Sequence, residues 1–134
     1  MPLTPGTDVD LARALERGEI PNGGFAHASH LRVAWVYLHE SATVDEAAAR
    51  IASTLRRFAA SVGRSEKYHE TITVFWMRAL AAARSAMFGA TLDEVLRANP
   101  HLLDKGLLLA YYSTDRLFSE EARRSWVDPD RQPL

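Results

Sequence analysis

Hydrophobic residues recur every three or four positions along most of the chain, which is the spacing of one face of an α-helix. The most hydrophobic of these segments is FAHASHLRVAWVYLH, at residues 25–39. It predicts a helix from Phe25 to Glu40 that is buried nearly all round, because its other faces are hydrophobic as well. The stripe that should face inward also carries two histidines. It consists of His27, His30, Leu31, Ala34, Trp35 and Leu38.

Capping motifs and glycines bound the other predicted helices. Two Thr-x-x-Glu sequences, at residues 43–46 and 91–94, have the spacing of a capping box at a helix N terminus. Gly63 and Gly89 follow hydrophobic segments and are expected to end them in the left-handed conformation. The predicted helices span residues 8–17, 25–40, 44–62, 65–88, 91–98 and 102–112, and Ser113 and Ser119 are expected to cap two last turns.

No segment alternates hydrophobic and polar residues over the length of a strand, and no glycine-rich loop links a strand to a helix. The pattern therefore predicts an all-α fold, a compact helical bundle of five to seven helices. The 134 residues, 47% of them hydrophobic, are enough for one domain over residues 1–134 with its own core. Residues 1–6 and 128–134, which include prolines, are predicted to be extended or flexible ends.

Composition narrows the range of functions. Cysteine is absent, which excludes thiol catalysis, iron–sulfur clusters and cysteine-ligated zinc. The net charge is −1 and the 16 basic residues are scattered, so neither nucleic acid nor a membrane surface is an expected partner. No hydrophobic run reaches the ~18 residues of a membrane span, and the first residues do not resemble a signal peptide, so a cytoplasmic location is predicted. The excess of arginine over lysine and the abundance of alanine indicate a GC-rich bacterial genome.

Three histidines form a candidate metal site. His27 and His30 are three residues apart, so their imidazoles should converge on one side of a helix. His69, in the segment KYHETIT, lies on the inward stripe of the predicted helix 65–88 and could face them from an antiparallel neighbour. Three neutral imidazoles suit a divalent transition metal such as zinc, iron or copper, and they leave one coordination position open.

Polar residues near these histidines are candidates for further roles. Glu70 could be a fourth ligand or a general base, and Tyr68 could donate a hydrogen bond to a ligand or to a metal-bound histidine. Arg32 could hold an anionic substrate, or it could instead pair with a carboxylate or reach solvent. Tyr111 could contact substrate, although a role as a core aromatic is the alternative. Together these residues predict a small metal-dependent enzyme, a hydrolase, lyase or oxygenase, that acts on a small molecule.

Two other functions fit the same residues. In the first, the chain is a non-enzymatic helical dimerisation or ligand-binding module, and the histidines are structural because backbone carbonyls satisfy them. The surplus of hydrophobic residues on the helix over 72–88 favours this reading and predicts a homodimer. In the second, a metal-free pocket uses His69 and Glu70 as proton-transfer groups.

Three stretches together resemble a small bacterial all-α family of uncharacterised activity. They are FxHxxHLRVAWVYL, KYHETIT and LLLAYYSTDRLFSEEARRSWVDPD, and the resemblance covers residues 25–134. Because no activity is known for that family, the resemblance implies no substrate and no cofactor.

Overall fold

The computed structural model describes residues 8–19 and 26–134, which form eight α-helices and three short 3₁₀ turns without any strand. The predicted all-α class is confirmed. The described helices outnumber the five to seven expected because the last third of the chain folds into several short pieces. The helices are α1 (Asp8–Glu16), α2 (His27–Glu40), α3 (Val44–Ser61), α4 (Glu70–Ala86), α5 (Leu92–Ala98), α6 (Leu108–Tyr111), α7 (Thr114–Leu117) and α8 (Glu120–Arg124), and the 3₁₀ turns are Ser65–Lys67, Pro100–Leu103 and Lys105–Leu107.

Helix α2 is the centre of the bundle, with α1, α3 and α4 packed against it. Leu31 and every residue from Val33 to Leu38 are buried, so the predicted burial of this helix on nearly all sides is confirmed. Neither α2 nor any other helix in the described part of the chain is long and apolar enough to cross a membrane. The predicted start at Phe25 and the turn before it lie outside the described residues.

Local motifs predicted the ends of α3 and α5. The hydroxyl of Thr91 accepts from the amide of Glu94, and the Glu94 carboxylate accepts from the amide of Thr91, which completes the capping box of α5. Thr43 caps α3 in the same way, but the carboxylate of Glu46 accepts from the amide of Ala42 instead. Gly63 (φ 69°) follows the last residues of α3 in the left-handed conformation, as expected. Gly89 is also left-handed (φ 86°), but α4 already ends at Ala86, so the expected end at Gly89 is three residues too late.

Two predicted helices were placed wrongly. The helix expected over 65–88 begins only at Glu70, after the 3₁₀ turn Ser65–Lys67, because His69 is extended (φ −138°) and caps α4 with its ring. The helix expected over 102–112 is broken at Asp104, whose carboxylate accepts from the amide of Gly106 at 2.9 Å. This local bond stabilises a turn there, and α6 starts only at Leu108.

Residues 125–132 cross the surface of α4 and α6 without forming a helix. Val127 is buried, and its carbonyl accepts from the hydroxyl of Tyr112 at 2.7 Å. The hydroxyl of Thr71 donates to the carbonyl of Ser125 at 2.8 Å. These bonds hold the final segment against the body of the protein.

Candidate functional site

A cavity of about 470 Å³ lies between α3 and the first turn of α4, and His30 of α2 contributes to its wall. We call it the apolar cavity, because the side chains that α3 and α4 contribute to it are mainly hydrophobic and are only half-buried. These hydrophobic residues are Leu55, Phe58, Ala59, Val62 and Ile72.

The connection between α3 and α4 forms the opening of this cavity. Gly63 turns the chain in the left-handed conformation, and the amide of Arg64 then donates to the carbonyl of Ala59 at 2.7 Å. The 3₁₀ turn Ser65–Lys67 follows, and the chain enters α4 through Tyr68. As a result Arg64 and Lys67 are exposed and line the opening of the cavity.

His69 is held by backbone groups on both sides of its ring. Nδ1 accepts from the amide of Ile72 at 3.2 Å, and Nε2 lies 2.7 Å from the carbonyl oxygen of Leu117. A carbonyl can only accept, so Nε2 carries the proton and the ring is neutral with both nitrogens engaged. Burial lowers the pKa of His69, although the bond to Leu117 opposes this effect.

His27 and His30 take different positions on α2. Nε2 of His27 donates to the carbonyl of Leu102 at 2.9 Å, and its ring packs against Trp76 with 4.4 Å between centroids. His30 lies in the wall of the apolar cavity, where burial and the neighbouring His27 lower its pKa from 6.5 to about 4. The centroids of the two imidazoles are 6.4 Å apart.

This geometry does not support the predicted metal site. The lone pair that His69 would offer to a metal already accepts the amide of Ile72, and it could bind an ion only by uncapping α4. Across residues 8–19 and 26–134, no group of three or more His, Cys, Asp or Glu side chains is arranged to hold a metal ion. His30 and His69 do line one cavity, as their inward positions predicted, while His27 is not among its lining residues.

Glu70 and Tyr68 lie together, but on a second and more polar cavity of about 820 Å³. The Tyr68 hydroxyl donates to Glu70 at 2.5 Å, and a guanidinium nitrogen of Arg56 lies 3.6 Å from the same carboxylate oxygen. Burial and the bond to Glu70 raise the pKa of Tyr68 to about 12. Tyr68 contributes to the walls of both cavities and therefore separates this polar cavity from the apolar one.

The two residues predicted to bind substrate lie elsewhere. Arg32 pairs with Asp8 at 3.1 Å and with Asp93 at 3.0 Å, so its guanidinium links α2 to α1 and α5. Tyr111 packs against Phe75 with 5.3 Å between ring centroids, in the wall of a third cavity of about 320 Å³. Neither residue reaches the cavity that contains His30 and His69.

Sequence reasoning missed Arg64 and Lys67 as residues of the site. Both are charged residues in a connecting segment, and such residues are usually solvated. The available signal was their position between Gly63 and the histidine of KYHETIT, next to the hydrophobic face of α3.

A buried polar network around Tyr37 was also missed. Its hydroxyl donates to Glu16 at 2.5 Å and lies 2.9 Å from the hydroxyl of Thr54, while Arg50 stacks 4.2 Å above its ring. The network joins α1, α2 and α3, and burial together with Glu16 raises the pKa of Tyr37 to about 12. Its partners are already satisfied by one another, so we assign it to stability.

Comparison with protein-family models, with curated proteins and with solved structures finds no match. The resemblance to a bacterial family stays a prediction.

Proposed function

We propose that the protein is a non-enzymatic helical module that binds a small, largely hydrophobic molecule in the apolar cavity. The observation that carries this proposal is the convergence of half-buried hydrophobic side chains on one space of about 470 Å³. Ligand-binding cavities have volumes of about 300–1,000 Å³ and combine such a lining with a few polar groups. A hydrophobic ligand would complete the burial of Leu55, Phe58 and Ile72.

The polar groups of the apolar cavity favour binding over catalysis. The hydroxyl of Thr73 donates to the carbonyl of His69 at 2.8 Å, and both ring nitrogens of His69 bond to backbone groups. The Tyr68 hydroxyl is engaged by Glu70. His30 is neutral at neutral pH, since its pKa is about 4. These groups supply no activated nucleophile and no base poised near pH 7, while the hydroxyl oxygens of Thr73 and Tyr68 can still accept a hydrogen bond from a ligand.

The enzyme functions predicted from the sequence have less support. A metal-dependent reaction needs ligands that His69 cannot supply while it caps α4. Proton transfer between His69 and Glu70 would need both in one cavity, but Glu70 lines the polar cavity and not the apolar one. The ligand-binding alternative requires neither a metal ligand nor a proton-transfer group, and it is compatible with a hydrogen-bonded His69 and a neutral His30.

A matched pair of substitutions on α3 tests the proposal. Ala59 lines the apolar cavity and Ala60 is exposed beside it. The indole of Ala59→Trp should fill the cavity and weaken binding of the neutral fluorophore phenylnaphthylamine about tenfold or more, a loss of ~1.4 kcal/mol. Ala60→Trp carries the same change on the outer face and should bind like the natural protein.

Fluorescence titration of the three proteins gives the affinities, and circular dichroism shows whether each is folded. Should Ala59→Trp fail to fold, the smaller Ala59→Leu replaces it and should show an intermediate loss. Equal affinity in all the folded proteins, or no binding by the natural protein, would overturn the proposal.

A further inference from the structure

We infer that the ligand of the apolar cavity carries an anionic head group, a carboxylate or a phosphate, which binds Arg64 and Lys67 at the opening. The inference rests on the function proposed above and adds the chemical class of the ligand. Both side chains line the cavity and both are exposed, so their charges lie where its hydrophobic interior meets water.

These two cations lack a carboxylate partner within the described ranges, 8–19 and 26–134. On the neighbouring helix α3, Arg56 pairs with Glu70 at 3.6 Å and Arg50 with Glu40 at 3.0 Å. No ion pair involves Arg64 or Lys67, and no described Asp or Glu lines the apolar cavity. Among the described residues, the lining of the apolar cavity therefore carries two positive charges and no negative one.

The turn between α3 and α4 distributes its charges between the two cavities. Glu66 lines the polar cavity, together with Ser65. Arg64 and Lys67, on either side of them, line the apolar cavity. Glu66, the only carboxylate between α3 and α4, therefore does not line the apolar cavity, and it forms no ion pair with either cation.

The combination of a hydrophobic interior and a cationic opening is complementary to an anionic amphiphile. Its hydrophobic part would lie against Leu55, Phe58 and Ile72, and its head group would reach the opening. Arg64 can hold a carboxylate or phosphate with two parallel hydrogen bonds, and Lys67 adds a point charge. A cationic head group in the same place would be repelled, and a neutral one would gain nothing from the two charges.

Three molecules with the same alkyl chain test the inference: decanoate, decanol and decylamine, each below the concentration at which it forms micelles. Displacement of phenylnaphthylamine from the natural protein measures their affinities. We expect decanoate to bind about tenfold more tightly than decanol, and decylamine to bind more weakly than either. Decyl phosphate, measured beside decanoate, distinguishes a phosphate from a carboxylate, and an advantage of either over decanol supports the inference.

The double variant Arg64→Gln/Lys67→Gln should bind decanoate no more tightly than decanol, and its affinity for decanol should equal that of the natural protein. Arg57→Gln/Arg97→Gln removes the same charge from exposed positions that do not line the apolar cavity, and it should keep the advantage. The affinity for decanol reports whether the hydrophobic part of the cavity is intact in each variant. A folding defect would therefore weaken the binding of both decanol and decanoate.

Equal affinity for decanoate and decanol in the natural protein would overturn the inference and leave the proposed function standing. Failure of all the probes, phenylnaphthylamine included, would overturn both. The inference would also be overturned if vesicles of anionic phospholipid bound the protein while free decanoate displaced no phenylnaphthylamine. The two cations would then bind a membrane surface and not a ligand in the cavity.

Discussion

At the scale of single residues, His30 shows how burial sets the chemistry of a side chain. Burial in the wall of the apolar cavity, with repulsion from His27, lowers the pKa of its imidazole from 6.5 to about 4. Between these two values the unfolded chain binds a proton that the native protein does not. The stability that neutral His30 contributes is therefore present above pH 6.5 and is lost as the pH falls toward 4.

His30→Gln should remove the part of the loss of stability at low pH that comes from this imidazole. A pKa difference of about 2.5 corresponds to roughly 3 kcal/mol of unfolding free energy. Urea unfolding at about pH 7 and about pH 4.5 should show a larger loss of stability in the natural protein than in the variant. His101→Gln, at an exposed position, is the control and should behave like the natural protein. The same loss in His30→Gln as in the natural protein would contradict this account of the imidazole.

The sequence indicated the inward positions of the histidines but not their hydrogen-bond partners, and of the three histidines predicted to share a site, His27 does not line the apolar cavity. His30 and His69 were expected to face inward, and both line the apolar cavity. The bond from His69 to Leu117 joins residues 48 positions apart, so no local pattern could predict it. The partners of Arg32 were missed for the same reason, because Asp8 and Asp93 lie in helices distant in sequence.

At the scale of helices and turns, the start of α4 is the feature on which the site depends. His69 ends the connection from α3, caps α4 through Nδ1 and bonds to α7 through Nε2. The cap therefore sets where α4 begins and, with it, the position of Ile72 in the apolar cavity.

His69→Ala should lower the unfolding free energy by about 0.5–2 kcal/mol, the range measured when alanine replaces a Ser, Thr, Asn or Asp N-cap. His69→Asn should recover part of this loss, because asparagine is a good N-cap even though it cannot reach Leu117 as the imidazole does. His39→Ala, at an exposed position near the end of α2, is the control and should have little effect. Urea denaturation measures all three, and equal stability of His69→Ala and the natural protein would contradict the capping role.

Helix ends were predictable where the signal was local. Thr91 with Glu94 gave the start of α5, and Gly63 marked the end of α3, since each acts on neighbouring residues. The prediction of one helix over 102–112 was wrong because it relied on hydrophobic spacing and gave too little weight to Asp104 and Gly106. The hydrogen bond between the Asp104 carboxylate and the Gly106 amide stabilises a turn that interrupts the helix.

At the scale of the whole molecule, the packing of α1, α3 and α4 around α2 explains both the core and the cavities. Hydrophobic periodicity was enough to predict the all-α bundle. It could not predict the apolar cavity, because a cavity forms where packing is incomplete, between the end of α3 and the start of α4. The predicted homodimer stays a prediction, favoured by Phe88, which is 98% exposed beside the end of α4.

The most direct test of the central claim is a methyl NMR titration of the natural protein with decanoate. Ligand in the apolar cavity should shift the methyl signals of Leu55, Val62 and Ile72, which line it. The methyl groups of Leu103 and Leu109 are exposed and do not line that cavity, so their signals should not move. Unchanged signals from the three cavity residues, or larger shifts at the two exposed leucines, would contradict a ligand-binding site between α3 and α4.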